Sequence, residues 1–262
     1  MPSEIIELST QDGPCRTEIL TPDGTGPWPA IIFCFDAGGP RPAMTKMAER
    51  IAQWGYVVAI PDFYHRVGSV IDILPPGVPK DASQLIPQFA NPDFLKKWMS
   101  TYYVSALSYD HLKTDVGALL AHLATRRDVT GGVGSTGYCM GGNISVRIAT
   151  IFGDQIAATA AFHAGGLVTP APDSPHLRVQ HIKSKVYVAG AEKDMMFNDD
   201  AKKTFEAALA EARVDHTVVT YPALHGFAVS DNPTYNAEQS ERHFAALEAL
   251  YKPLATAPRP SA

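Results

Sequence analysis

The sequence predicts an α/β domain with a mostly parallel central sheet covered by helices on both faces. Three observations predict it. Continuous apolar runs such as Ala30–Phe35 (AIIFCF) and Tyr56–Ile60 (YVVAI) read as strands buried on both faces. Apolar residues at helical spacing follow and precede these runs, so strand and helix alternate. No internal repeat and no dividing linker interrupts the 262 residues, which predicts one domain over 1–262.

The elements follow in order. Residues 1–29 read as N-terminal strands and a loop. Ile5–Ser9 and Thr17–Leu20 are strand candidates, parted by the turn-like Gln11-Asp12-Gly13-Pro14. After the strand at Ala30–Phe35, Met44, Met47, Ile51 and Trp54 mark a helix that Gly55 ends. The strand Tyr56–Ile60 comes next. Leu112, Val116, Leu119, Leu120 and Leu123 form a long helical stripe. Gly132–Gly137 leads into a second stripe at Ile144, Ile148, Ile151 and Phe152. Lys185–Ala189 and His216–Tyr221 are strands flanking a helix through Phe205, Leu209 and Ala212. The last helix carries Phe244, Leu247, Leu250 and Tyr251, and the Pro- and Ala-rich tail 255–262 reads as frayed. The least regular segment is 62–99, with Pro75, Pro76, Pro79, Pro87 and Pro92. A loop of this length inside a domain is expected to serve as a cap or substrate loop.

Composition limits the functions available. Hydrophobic residues at 45% and charged residues at 19% describe a globular chain rather than a disordered one. A net charge of −5 without a basic block argues against nucleic acid or an anionic membrane as partner. No signal peptide and no run of transmembrane length is visible. The three cysteines, Cys15, Cys34 and Cys139, suit neither a disulfide framework nor a zinc site, so a cytoplasmic location is expected.

The most informative stretch is Gly137-Tyr138-Cys139-Met140-Gly141-Gly142, set between an apolar run and a helix. Strand, G-x-C-x-G-G, helix is the form of a nucleophile elbow. A nucleophile on so tight a turn holds a strained backbone, and bulky neighbours would strike the adjacent strand and helix. Gly137, Gly141 and Gly142 meet that need. The turn also places Cys139 at a helix N-terminus, where the dipole favours a thiolate and later an oxyanion. The Met140 N–H is the expected first oxyanion donor.

A nucleophile needs a base and an acid, in the chain order nucleophile, acid, histidine. Asp194 lies just past the strand at Lys185–Ala189, and His225 just past His216–Tyr221. Both are expected at the same sheet edge as Cys139. His163 is the rival base, but it precedes Asp194. The remaining histidines (His65, His111, His122, His176, His181, His216 and His243) are expected to be solvated.

With these residues in view, the chain resembles the dienelactone hydrolase (carboxymethylenebutenolidase) family of α/β-hydrolases. The match lies in G-x-C-x-G-G, in the Asp194 and His225 segments, and in Gly55-Tyr56 followed by Pro61-Asp62-Phe63-Tyr64. The resemblance implies an acidic residue that holds and activates the resting thiol. Asp36 stands at that position, and the next N–H, that of Ala37, is the implied second oxyanion donor. It also implies arginines that grip a substrate carboxylate, one of them four residues after the histidine. Here that position is Val229, and the other basic contact falls at Lys96 or Lys97. A less charged ester or lactone is therefore expected as substrate, meeting Tyr64, Lys97 and the 62–99 segment. The expected reaction is ester or lactone hydrolysis through a thioester on Cys139, without metal or organic cofactor, in a monomer or homodimer. The alternatives are a broad carboxylesterase or thioesterase, and a catalytically weak ligand-binding protein.

Overall fold

The computed structural model describes residues 1–257. Eight strands form one sheet: β1 (Ser3–Thr10), β2 (Gly13–Leu20), β3 (Trp28–Cys34), β4 (Val57–Pro61), β5 (Val129–Tyr138), β6 (Ile156–Phe162), β7 (Lys185–Ala191) and β8 (His216–Tyr221). Their order is β1-β2-β4-β3-β5-β6-β7-β8. β1 and β2 pair antiparallel, β2 meets β4 antiparallel, and β3 to β8 run parallel. Every residue of β4, and every residue of β3 after Trp28, is buried, so both faces are covered there. β1 is the exposed edge, and Glu4 and Glu7 point charge outward along it.

Six main helices wrap the sheet: α1 (Pro42–Ala52), α2 (Pro92–Trp98), α3 (Tyr109–Thr125), α4 (Met140–Ile151), α5 (Asp199–Glu211) and α6 (Ala237–Tyr251). Five of them start for a local reason. Pro42 and Pro92 fix the first turns of α1 and α2. Ser108, Asn198 and Asn236 cap α3, α5 and α6 with their side chains. Trp54, just past α1, packs on Phe244 of α6, with ring centroids 5.9 Å apart. α4 is buried along nearly its whole length against β3, β5 and β6.

One strand was not anticipated and one expectation is corrected. β6 (IAATAAF) is a central strand, though its alanines carry little β propensity; pairing on both sides decides it. The tail is ordered as far as it is described: Lys252–Ala255 is a 3₁₀ turn with Leu254 buried, and Ala257 N–H bonds back to Leu254. The rest of 255–262 lies outside the described residues.

Because β3 to β8 share one direction, the residues that follow them emerge at one edge. Asp36 follows β3, Tyr64 follows β4, and Cys139 follows β5. His163, Asp194 and His225 follow β6, β7 and β8.

Candidate active site

Cys139 is the junction of β5 and α4 and holds φ 54° and ψ −116°, a conformation that side chains rarely adopt. The surrounding backbone imposes it. Cys139 N–H donates to Phe162 O at 3.1 Å, and Cys139 O accepts from Gly142 N at 3.1 Å and Gly165 N at 3.3 Å. All three predicted glycines are required by space. A Cβ on Gly137 would lie 1.9 Å from Gly141 O, and one on Gly141 would lie 2.1 Å from Cys34 O. A Cβ on Gly142 would lie 2.6 Å from Ala164 Cβ.

His225 reaches the same place from the loop after β8. Its Nδ1–H faces Asp194 Oδ2 at 2.8 Å, and Asp194 Oδ1 accepts the Met196 N–H at 2.9 Å. Thr234 Oγ1 donates to His225 O at 2.5 Å and fixes the loop. His225 Nε2 is buried without a hydrogen-bond partner. Burial disfavours charge on His225, but Cys139 and Asp194, through charge and hydrogen bonding, outweigh it and raise the ring to about 10.

His163, the rival base, sits in the same wall with its ring centroid 5.2 Å from that of His225. Among the described residues, both its nitrogens are unpartnered and no carboxylate orients it. Burial holds it well below its ordinary value, so it is a neutral neighbour. The expectation that the other histidines are solvated fails for His243, for His65 and for His122, whose Nε2 is buried. His243 is fully buried between Ser240 O and Tyr138. His65 packs against Asp115 at 3.2 Å, with Cys15 also near. That Cys–His–Asp group already holds a cation, because Arg66 donates to both Asp115 oxygens at 2.7 and 2.8 Å.

The predicted partners of the thiol and substrate are corrected by their contacts. Asp36 does not hold the Cys139 thiol. Its two oxygens accept from Arg41 at 2.6 and 2.9 Å, and Oδ1 also accepts Gly38 N–H at 2.9 Å. Arg41 is itself buried; burial opposes its charge, but Asp36 and Asp231 raise it above its ordinary value. Tyr64 does not line the cavity. Its hydroxyl donates to Ala37 O at 3.1 Å, accepts from Trp98 Nε1 at 3.1 Å and lies 3.5 Å from Met140 Sδ. It therefore braces both residues whose N–H groups were expected to bind an oxyanion. Lys96 and Lys97 are exposed on α2, away from the cavity wall. Val229 is fully buried and also outside the wall.

Ala37 N–H has no hydrogen-bond partner among the described residues. Met140, as the first residue of α4, has no carbonyl one turn back to bond. Both are available to an acceptor.

A cavity of about 250 Å³ joins these parts. Asp36, Ala37, Cys139, His163, His225, Gly226 and Asn232 form its polar end. Ile86, Phe89, Leu95, Trp98, Met99 and Met196 form apolar walls, all but Met196 from the segment predicted as a cap or its boundary. Among the described residues, no lysine or arginine lines it. Larger clefts of about 590 and 400 Å³ lie elsewhere and do not reach Cys139. No helix is long and apolar enough to cross a membrane among the described residues. Sequence reasoning expected the 62–99 segment at the site but missed which of its residues form the walls, and it missed Arg41; the Gly38-Gly39-Pro40-Arg41-Pro42 loop signals a tight turn but not its partner.

Comparison with known proteins places this geometry in context. Residues 15–254 match the sequence model of the dienelactone hydrolase family. Protein usf of Aquifex pyrophilus is 27% identical over 226 residues, covering 86% of each chain. A Yersinia pestis protein provisionally named carboxymethylenebutenolidase is 27% identical over 229 residues, covering 85% of this chain and 78% of its own. The crystal structure of a provisionally named dienelactone hydrolase from Klebsiella pneumoniae has the same fold. Its TM-score is 0.79 at 21% identity, with 95% of this chain and 98% of that chain covered.

Proposed function

Because the chain belongs to the dienelactone hydrolase family, a family of hydrolases acting on ester and lactone bonds, we propose that it cleaves small uncharged esters or lactones, with Cys139 as nucleophile and a thioester as intermediate. The observation that carries this reading is the Asp194–His225 hydrogen bond of 2.8 Å beside an elbow cysteine in an apolar cavity.

Each step uses a group already described. His225, oriented by Asp194, takes the thiol proton, and the thiolate attacks the carbonyl carbon. The C–S bond forms as the carbonyl π pair moves to oxygen. Met140 and Ala37 N–H groups stabilise that oxyanion. Collapse expels the alkoxide, which takes the proton from His225. Water then loses a proton to His225 and attacks the thioester. The acid leaves and the thiol is regenerated. Tyr64, which burial holds neutral well above its ordinary value, stays a donor to Ala37 O throughout.

The lack of a lining cation supports a neutral substrate, since a carboxylate in an apolar cavity needs paired positive groups. The apolar walls likewise favour a broad carboxylesterase activity over one restricted to dienelactone. The test is turnover of a panel of small activated esters by the wild type and by Cys139→Ala. Loss of turnover in a folded Cys139→Ala supports the reading, and retention of most of it refutes the reading. Cys139→Ser is expected to be poor, because a hydroxyl needs more help from the base.

A further inference from the structure

We propose that Arg41 is a positioning residue that ties the turn carrying Ala37 to the loop carrying His225. The proposal rests on the reading above, in which Ala37 N–H binds the oxyanion and His225 is the base.

All five N–H groups of the guanidinium are used. Nε donates to Asp231 Oδ2 at 2.7 Å and Nη2 to Asp231 Oδ1 at 2.9 Å. Nη2 also donates to Asp36 Oδ2 at 2.9 Å and Nη1 to Asp36 Oδ1 at 2.6 Å. The fifth goes from Nη1 to Gly39 O at 3.3 Å. One fork thus grips Asp36, which lines the cavity, and the other grips Asp231, next to the lining residue Asn232. On one side, Asp36 Oδ1 and Asp36 O accept the Gly38 and Gly39 N–H groups, so the fork shapes the turn that presents Ala37 N–H. On the other side, Asp231 precedes Asn232, which lines the cavity. Thr234 Oγ1 lies 2.7 Å from Asn232 Oδ1 and 2.5 Å from His225 O, so its single proton is shared between the two and links them.

Neutralising Asp36 needs one fork only. The second fork reaches a carboxylate on a different loop, and that is what makes the residue a tie rather than a counter-ion. Arg41 and Asp36 are 5% and 3% exposed, so water competes little for either. A lysine offers a point charge with three donors and cannot make two planar forks. His225 is also held by Asp194, so the part free to drift without the tie is the Ala37 turn. A drift of about 1 Å at such a group costs up to ~100-fold in rate.

The experiment uses the full-length enzyme, a neutral activated ester (p-nitrophenyl acetate) and iodoacetamide as a probe of Cys139. Asp231 lies at the surface side of the tie, so Asp231→Ala is the main variant, with Arg41→Lys as the second. Thermal unfolding confirms that each is folded. The expected result is a kcat at least about tenfold lower in both variants, with KM changed less than about threefold. Alkylation of Cys139 is expected at the wild-type rate, because the thiol and its base do not depend on the tie. A kcat within about twofold of wild type in Asp231→Ala, or full activity in Arg41→Lys, would overturn the proposal. So would alkylation that slows in step with kcat. Failure of the underlying reading looks different: wild-type enzyme would keep its turnover after complete alkylation of Cys139, and the tie would fall with it.

Discussion

Gly141 runs against Cys34 so closely that a Cβ on Gly141 would lie 2.1 Å from the Cys34 carbonyl oxygen and 2.3 Å from that of Phe35. Both contacts are backbone of the central strand β3 and its end, which cannot give way cheaply. Gly141→Ala is therefore expected to lower stability by about 3 kcal/mol and to cut turnover with it. Urea unfolding measures the first and ester hydrolysis the second. A change within about 0.5 kcal/mol would mean that α4 can shift away from β3 without cost.

The second prediction concerns protons. With Cys139 and Asp194 beside it, His225 is raised from 6.5 to about 10 despite burial. A histidine raised on folding contributes stability that is fully present below 6.5 and is lost as pH rises through about 10. The imidazole resonances of His225, followed by NMR, should titrate far above 6.5 in the wild type. In Cys139→Ala the midpoint should drop, because one cause of the rise is gone while burial remains. The stability advantage of the wild type over Cys139→Ala should fade across the same pH window. An unshifted midpoint, identical in both proteins, would contradict the charge coupling.

Substrate choice gives a third prediction. A small neutral ester should have a higher kcat/KM than anionic dienelactone. Val229→Arg cannot restore a carboxylate grip, because Val229 is fully buried behind the wall. It should instead destabilise the protein by burying an unpaired charge. Leu95 lines the cavity and is 38% exposed, so Leu95→Arg can place a solvated cation at the mouth. It should raise kcat/KM for the anionic lactone by about fivefold, from ~1 kcal/mol for one solvent-accessible charge pair. Steady-state kinetics at one ionic strength measures all four combinations. A wild type that prefers the anionic lactone would overturn the neutral-substrate reading.

The parts legible in the sequence are those with one-dimensional signatures. β3 and β4 announce themselves as apolar runs, α1 and α3 as stripes, and the elbow as glycines around Cys139. Asp194 and His225 follow strands whose direction the alternating pattern fixes. β6 was hidden because Ile156–Phe162 is rich in alanine, and only its neighbours make it a strand. Side-chain direction in the loops was hidden as well. Leu95 and Trp98 face the cavity while Lys96 and Lys97 between them do not, a difference set by the rotation of one short helix. Asp36 lies beside Gly38 and Gly39 in sequence, yet its partner is chosen by how the turn folds back onto Arg41. The buried state of His163 and His243 likewise depends on packing across elements, which no local pattern records.

The central claim is that Cys139 carries the acyl group. Wild-type enzyme quenched in acid during turnover of a slow neutral ester should show one added acyl mass. Peptide mapping should place it on Cys139. His225→Ala alkylated at Cys139 should show none. An acyl group on any other residue, or full turnover with Cys139 replaced by alanine, would contradict the account.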